Sequence, residues 1–174
     1  LCCKGIRHRY TVAERIDDRM RRKDRERDEA FALEIADKCE YAVMAVSLGD
    51  GTPYCVPLSI ARDGEDNYFH CAYEGQKTDA LKANPHVCIS CVGETRRLSD
   101  EFSTEYESAV IFGTAQQVES EEEKIHALRL ICERHTPLHM DAFDSAIESS
   151  LKRTAIWKIH IENITGKAKK VKKG

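Results

Sequence analysis

The chain has 174 residues, enough for one domain with a full core. Charged residues make up 33% and hydrophobic types 41%, a globular balance that excludes a disordered polymer, and no stretch nears the roughly 20 apolar residues that span a bilayer. The net charge of −3 gives no general pull toward nucleic acid.

Leu1-Cys2-Cys3-Lys4 leads into no apolar run, so no secretory signal is expected. Leu1–Arg19 is basic and polar and precedes Met20, a natural start; it reads as an extension outside the fold, disordered or wrongly assigned. The domain is expected over residues 20–166, with 167–174 a basic, solvated tail. There are eight cysteines, and Cys55, Cys71, Cys88 and Cys91 fall inside apolar strand-like runs. That placement suits reduced, buried thiols in a cytoplasmic protein rather than a disulfide framework.

Phe31 and Ile35, with Leu33 and Ala36 beside them, predict an amphipathic helix over about Asp28–Cys39. Tyr41–Ser47 reads as a strand, and Gly49-Asp50-Gly51 is a hairpin signal. Pro53–Ala61 and Asn67–Ala72 are further strands, separated by the polar turn Asp63–Asn67. Three strands joined by short turns predict an antiparallel meander. A short helix is expected from about Gly75 to Asn84, ended by Asn84-Pro85. Val87–Val92 alternates as a strand, Gly93–Glu105 reads as a polar loop, and Ser108–Val118 is a long strand. Ser120-Glu121-Glu122-Glu123 has capping-box spacing and opens a helix. A second short helix is expected over Asp144–Lys152, and Thr154–Asn163 alternates as the last strand. No Gly-x-Gly-x-x-Gly follows a strand, so a Rossmann site is not expected. The order predicts a mainly β, α+β fold: a six-stranded antiparallel barrel with helices at its ends.

Two stretches carry chemistry. Tyr68–Cys71 is an apolar strand that leads to Gly75, and the next helix opens with Gln76-Lys77. Unpaired N–H groups and the dipole at a helix start, joined by the Lys77 charge, make a candidate phosphate site. The bland reading is a turn glycine and a solvated lysine. In Tyr54-Cys55-Val56-Pro57-Leu58-Ser59, the proline removes a ladder hydrogen bond and belongs at an edge or bulge. Free backbone groups there could pair with a flat heterocycle, or the segment could be a plain edge strand that resists aggregation.

Five segments stand in one order: Met20–Glu26, Pro53-Tyr54-x-Val56-Pro57-Leu58, Tyr68-Phe69-His70-x-Ala72-x-Glu74-Gly75-x-Lys77, Asn84-Pro85-x-Val87-Cys88 and Ser108–Ala115. Together they resemble the nitroimidazole-resistance branch of the pyridoxamine phosphate oxidase-like flavoproteins, from Met20 to about Lys167. The resemblance implies a split β-barrel that binds FMN at a homodimer interface. It implies that Val56, Pro57, Leu58 and Ser59 lie along the flavin ring, that His70 and Cys71 line it, and that Gly75, Gln76 and Lys77 hold the phosphate. Ser108 would reach the flavin from the second subunit, and His70 would act in catalysis. Two departures stand out. The oxidases proper carry arginines where this chain has Val56 and Gln76, and their C-terminal substrate segment has no match here. Both weigh against pyridoxamine phosphate as the substrate.

Other constellations are weaker. Cys88-x-x-Cys91 with His70 or His86 could suggest zinc, but positions i and i+3 of a strand face opposite ways. The basic runs Arg19–Arg27 and Lys167–Lys173 lack aromatic stacking partners, so no nucleic-acid partner is expected. Two functions remain: an FMN-dependent oxidoreductase acting on a small organic molecule, or a non-catalytic flavin- or haem-binding module.

Overall fold

The computed structural model describes residues 20–170. After a 3-10 turn at Lys23–Arg25, the elements are β1 (Glu26–Arg27), α1 (Glu29–Lys38), β2 (Ala42–Ser47), β3 (Pro53–Leu58), β4 (Ala61–Asp63), β5 (Asp66–Cys71), α2 (Gln76–Ala83), β6 (His86–Leu98), β7 (Ser103–Gln117), α3 (Glu121–His135), α4 (Phe143–Ser150) and β8 (Ala155–Lys169). All four predicted helices are present. Asp28 Oδ1 accepts from the Phe31 N–H at 2.9 Å and starts α1. Ser120 plays the same part for α3, accepting from Glu123 N–H.

One antiparallel sheet runs β3-β2-β6-β7-β8-β5-β4, with β1 added alongside β8. The expected α+β split barrel is therefore present, with eight strands rather than six. The predicted strand Pro53–Ala61 is two strands, and the expected meander does not form. β3 pairs with β2 at one end of the order; β4 pairs with β5 at the other. Only Ser59 and Ile60 link them, so the curled sheet has its two ends side by side but not joined.

The expected loop Gly93–Glu105 is mostly strand. β6 continues to Leu98 and β7 starts at Ser103, with a bulge between Val92 and Thr95. Hydrophobic alternation fails there because both strand faces are solvated beyond the bulge, while backbone pairing continues. β8 also outruns its predicted end at Asn163, because its buried positions there, Gly166 and Ala168, are too small to show an apolar face. It reaches Lys169, so the first residues of the expected tail pair with β7 and β1.

Two apolar clusters hold the domain. Met44, Ile89, Ile111, Phe69, Trp157 and Ile159 fill the inside of the curled sheet, with Ile35 from α1 and Leu81 from α2 sealing it. On the outer face of β4, β5 and β8, Tyr68 and Ile156 pack under Leu128 and Ile131 of α3 and Phe143 of α4. Helices therefore cover only one half of the sheet's outer face. The other half presents Val43 and Ala45 of β2, Cys55 and Pro57 of β3, Cys88 of β6 and Val110 and Phe112 of β7, none of them fully buried.

Candidate functional site: an open cationic cleft

Three chain segments converge where the sheet is split. β3 ends on Pro57-Leu58, followed by Ser59, at an edge with no second neighbour. β5 delivers His70 and Cys71, paired with Ile156 and Ala155 of β8. The turn after β5 then leads through Gly75 into α2 and Lys77. Pro57, Leu58, Ser59, His70, Cys71 and Lys77 line one open cleft of about 550 Å³. That size lies within the range of about 300–1,000 Å³ usual for small-molecule sites. Ala72, Arg153 and Thr154 complete the lining.

Sequence reasoning missed Arg153 and Thr154. They precede β8, some 80 positions beyond β5, and only the β5–β8 register brings them beside Ala72. The pairing of those two strands could have signalled them; no local motif does.

The remaining predicted residues fall elsewhere. The Val56 side chain turns toward the core, packing against it from beneath the edge strand. Gly75 and Gln76 are exposed on the turn and do not line the cleft. Ser108 lies on β7, opposite Val92 and Lys167, on the uncovered half of the outer face.

The turn geometry suits an anion. Gly75 has φ +133°, a conformation closed to most side chains, and nothing lies within 4 Å of where a Cβ would stand. No side chain caps the first N–H groups of α2. Thr78 Oγ1 donates to the Gly75 carbonyl at 2.7 Å and fixes the turn. Lys77 Nζ stands 5.1 Å from the centroid of the Phe69 ring, which holds its ammonium at the cleft. No Asp or Glu is among the lining residues.

His70 remains accessible to solvent, yet its pKa lies below the ordinary imidazole value. Partial desolvation of the ring is the main cause, and the charges of Lys77 and His135 add to it. The imidazole is therefore held neutral and can accept or donate a hydrogen bond. Burial likewise pushes the Cys71 thiol up, opposed by Lys77, so it is a poor nucleophile.

A phosphorylated flavin fits this donor set. Cations and uncapped N–H groups suit its phosphate, and the unpaired β3 edge offers backbone donors and acceptors to a flat heterocycle. Among the described residues no group of three or more His, Cys, Asp or Glu could hold a metal. Cys88 is half-buried on the outer side of β6 and Cys91 is buried inside, as strand alternation requires.

The curled antiparallel sheet, with β3 and β4 at its unpaired ends, is a split barrel. The model for pyridoxamine 5'-phosphate oxidase matches residues 26–168, and the chain belongs to that family. It is similar to a candidate 5-nitroimidazole antibiotic resistance protein from Bacteroides thetaiotaomicron, at 26% identity and a TM-score of 0.69 over 81% of this chain and 84% of that one. An FAD- and haem-binding protein from Mycobacterium smegmatis shares 21% identity with a TM-score of 0.71, covering 83% and 72% of the two chains. An FAD-binding protein from Mesorhizobium loti shares 20% identity with a TM-score of 0.63, covering 84% and 98%. No curated protein matches.

Proposed function

We propose that this chain is an FMN-binding oxidoreductase that reduces a small organic acceptor, working as a homodimer with the flavin at the subunit interface. The observation that carries the reading is the cleft itself. It sets a free strand edge for a ring system against the Lys77 ammonium for a phosphate, with His70 in the same lining and the uncapped start of α2 next to Lys77. FMN, when bound, supplies electron transfer.

The protein's own residues bind, orient and shield. Gly75 and Gln76 present backbone N–H groups to the phosphate, and Lys77 neutralises charge. Val56, Pro57, Leu58 and Ser59 align the ring through their backbone. Cys71 packs on it. His70, kept neutral by its surroundings, hydrogen-bonds the substrate and is the candidate for proton transfer at its imidazole nitrogen.

The homodimer reading rests on the uncovered half of the sheet. Val43 is paired with Pro57 on one side and Ser90 on the other, and Ser90 with Val110, so one continuous row runs from the cleft's edge across the apolar face. A two-fold contact through that face would bury it, and would bring Ser108, two pairs further along β7, toward the opposite copy's cleft. Among the described residues no helix is long and apolar enough to cross a membrane. With Cys39, Cys71 and Cys91 present as free thiols, we place the protein in the cytoplasm.

The test is the absorption spectrum of the purified protein, followed by anaerobic addition of reduced nicotinamide. A flavin spectrum that bleaches and recovers with a nitroaromatic acceptor supports the enzyme. A Soret band supports the haem-binding alternative. A colourless protein that ignores added FMN removes the flavin reading.

A further inference from the structure

We infer that Arg153 is the second phosphate-binding cation of the cleft, acting with Lys77 to make the site select a flavin phosphate over the unphosphorylated flavin. The inference rests on the flavin reading of the cleft. It assigns a binding role to a residue that lies outside every motif singled out in the sequence.

The placement follows from strand pairing. His70 faces Ile156 and Cys71 faces Ala155, so the end of β5 lies beside the start of β8; Thr154 and Arg153, which closes the 3-10 turn Leu151–Arg153 just before β8, line the cleft with them. Arg153 and Lys77 line the same cleft, approaching it from the β8 and α2 sides.

Neither charge is neutralised by a carboxylate. Arg62, Arg96 and Arg129 each pair with a carboxylate, respectively Asp37, Glu105 and Asp144. Among the described residues no carboxylate pairs with Arg153 or Lys77, and none lines the cleft. Among the described residues the one hydrogen bond of the Arg153 guanidinium runs from Nη2 to the Ser149 carbonyl at 3.4 Å, a long contact that uses one of its five donors.

The charge balance then favours a phosphomonoester. Such a group carries roughly −1.5 to −2 near neutral pH. Lys77 alone would leave it undercompensated. Val56 and Gln76 bring no charge, so the neighbouring motif positions cannot make up the difference. A guanidinium can meet two phosphate oxygens at once, which an ammonium cannot.

The test compares FMN with riboflavin on the full chain, by quenching of flavin fluorescence, for the wild type, Arg153→Ala, Arg153→Lys and Lys77→Ala. Melting temperature checks each variant's fold; Arg153 is exposed, so it should stay within a degree or two of wild type. Arg153→Ala should weaken FMN about ten- to hundredfold and leave riboflavin unchanged, with Arg153→Lys in between. Equal losses for both flavins would mean that Arg153 supports the ring or the fold, and would overturn the inference. So would an unchanged FMN affinity in Arg153→Ala alongside a clear loss in Lys77→Ala; the flavin reading would then stand without Arg153. A wild-type protein that binds neither flavin overturns that reading and this inference with it.

Discussion

Gly113 provides the sharpest test of the fold that positions the cleft. At this residue the β7–β8 pairing slips: Phe112 faces Asn163, but Gly113 faces Ile161. A methyl group there would lie on the His160 carbonyl oxygen, with Ile159 Cγ2 only 3.0 Å away. The carbonyl is backbone, so it cannot swing aside like a side chain; Gly113→Ala must push β8 away from β7. Overpacking of this kind costs about 1–3 kcal/mol. Losing one or two neighbouring ladder bonds adds about 0.5–1.5 kcal/mol each. The sum is roughly 3 kcal/mol, or about 6–12 °C in Tm for a domain of this size. The matched control is Gly49→Ala, where nothing lies within 4 Å and φ is not positive. Thermal unfolding followed by circular dichroism should show a large drop for the first variant and almost none for the second. If Gly113→Ala melts within a degree or two of wild type, the bulge between β7 and β8 is wrong.

Three further predictions bear on the site. Lys77→Ala removes one charge-assisted contact worth about 1.5–3 kcal/mol, so FMN affinity measured by fluorescence titration should fall roughly 10- to 150-fold; an unchanged value would mean the phosphate sits elsewhere. The His70 imidazole should titrate below the ordinary value by NMR, and Lys77→Met should move it upward, since Lys77 is a cause of the shift after desolvation. Because the fold favours the neutral ring, His70 supports stability above its unfolded pKa of about 6.5 and that support is lost as pH falls toward the folded value. His70→Gln should flatten this acid-side fall in Tm; the same slope in the variant would assign it to other groups. Val110→Asp would place a carboxylate in the middle of the uncovered sheet face, and burying it without a partner costs several kcal/mol. Sedimentation should show a dimer giving way to monomer with loss of bound flavin, and a Val110→Asp protein that stays dimeric would move the interface elsewhere.

The elements that alternation and caps announce are where the sequence placed them. Asp28 and Ser120 start helices α1 and α3, and Trp157 and Ile159 face the interior as their period-two spacing required. What stayed hidden is pairing. Arg96 faces Glu105 across an exposed ladder, so neither strand shows an apolar face to read. Pro53–Ala61 reads as one strand because nothing in its composition says that its two halves belong to opposite ends of a sheet. Arg153 closes the 3-10 turn Leu151–Arg153 among polar neighbours and becomes a cleft residue only because the strand after it pairs with β5. Ser108 is the reverse case: a motif position in the sequence that one subunit alone leaves away from the cleft.

The split in the barrel and the site are consequences of the same residues. Pro57 has no N–H to give, so a strand closing against β3 would lack a ladder bond there. Leu58 and Ile60 are both buried in the inner cluster with the exposed Ser59 between them, and Ala61 packs in the outer cluster, so the chain stays extended as it passes from β3 to β4. The chain therefore leaves β3 and joins the far end of the sheet as β4 without ever pairing the two. The result is a free edge standing next to the ends of β5 and β8 and the start of α2. A closed barrel of the same strands would have satisfied the β3 edge with backbone bonds and left no donors or acceptors for a ring. By holding that edge open at the point where Lys77 and Arg153 arrive from different parts of the chain, the fold makes an unsatisfied backbone and an unbalanced charge adjacent, and the flavin phosphate we propose would relieve both.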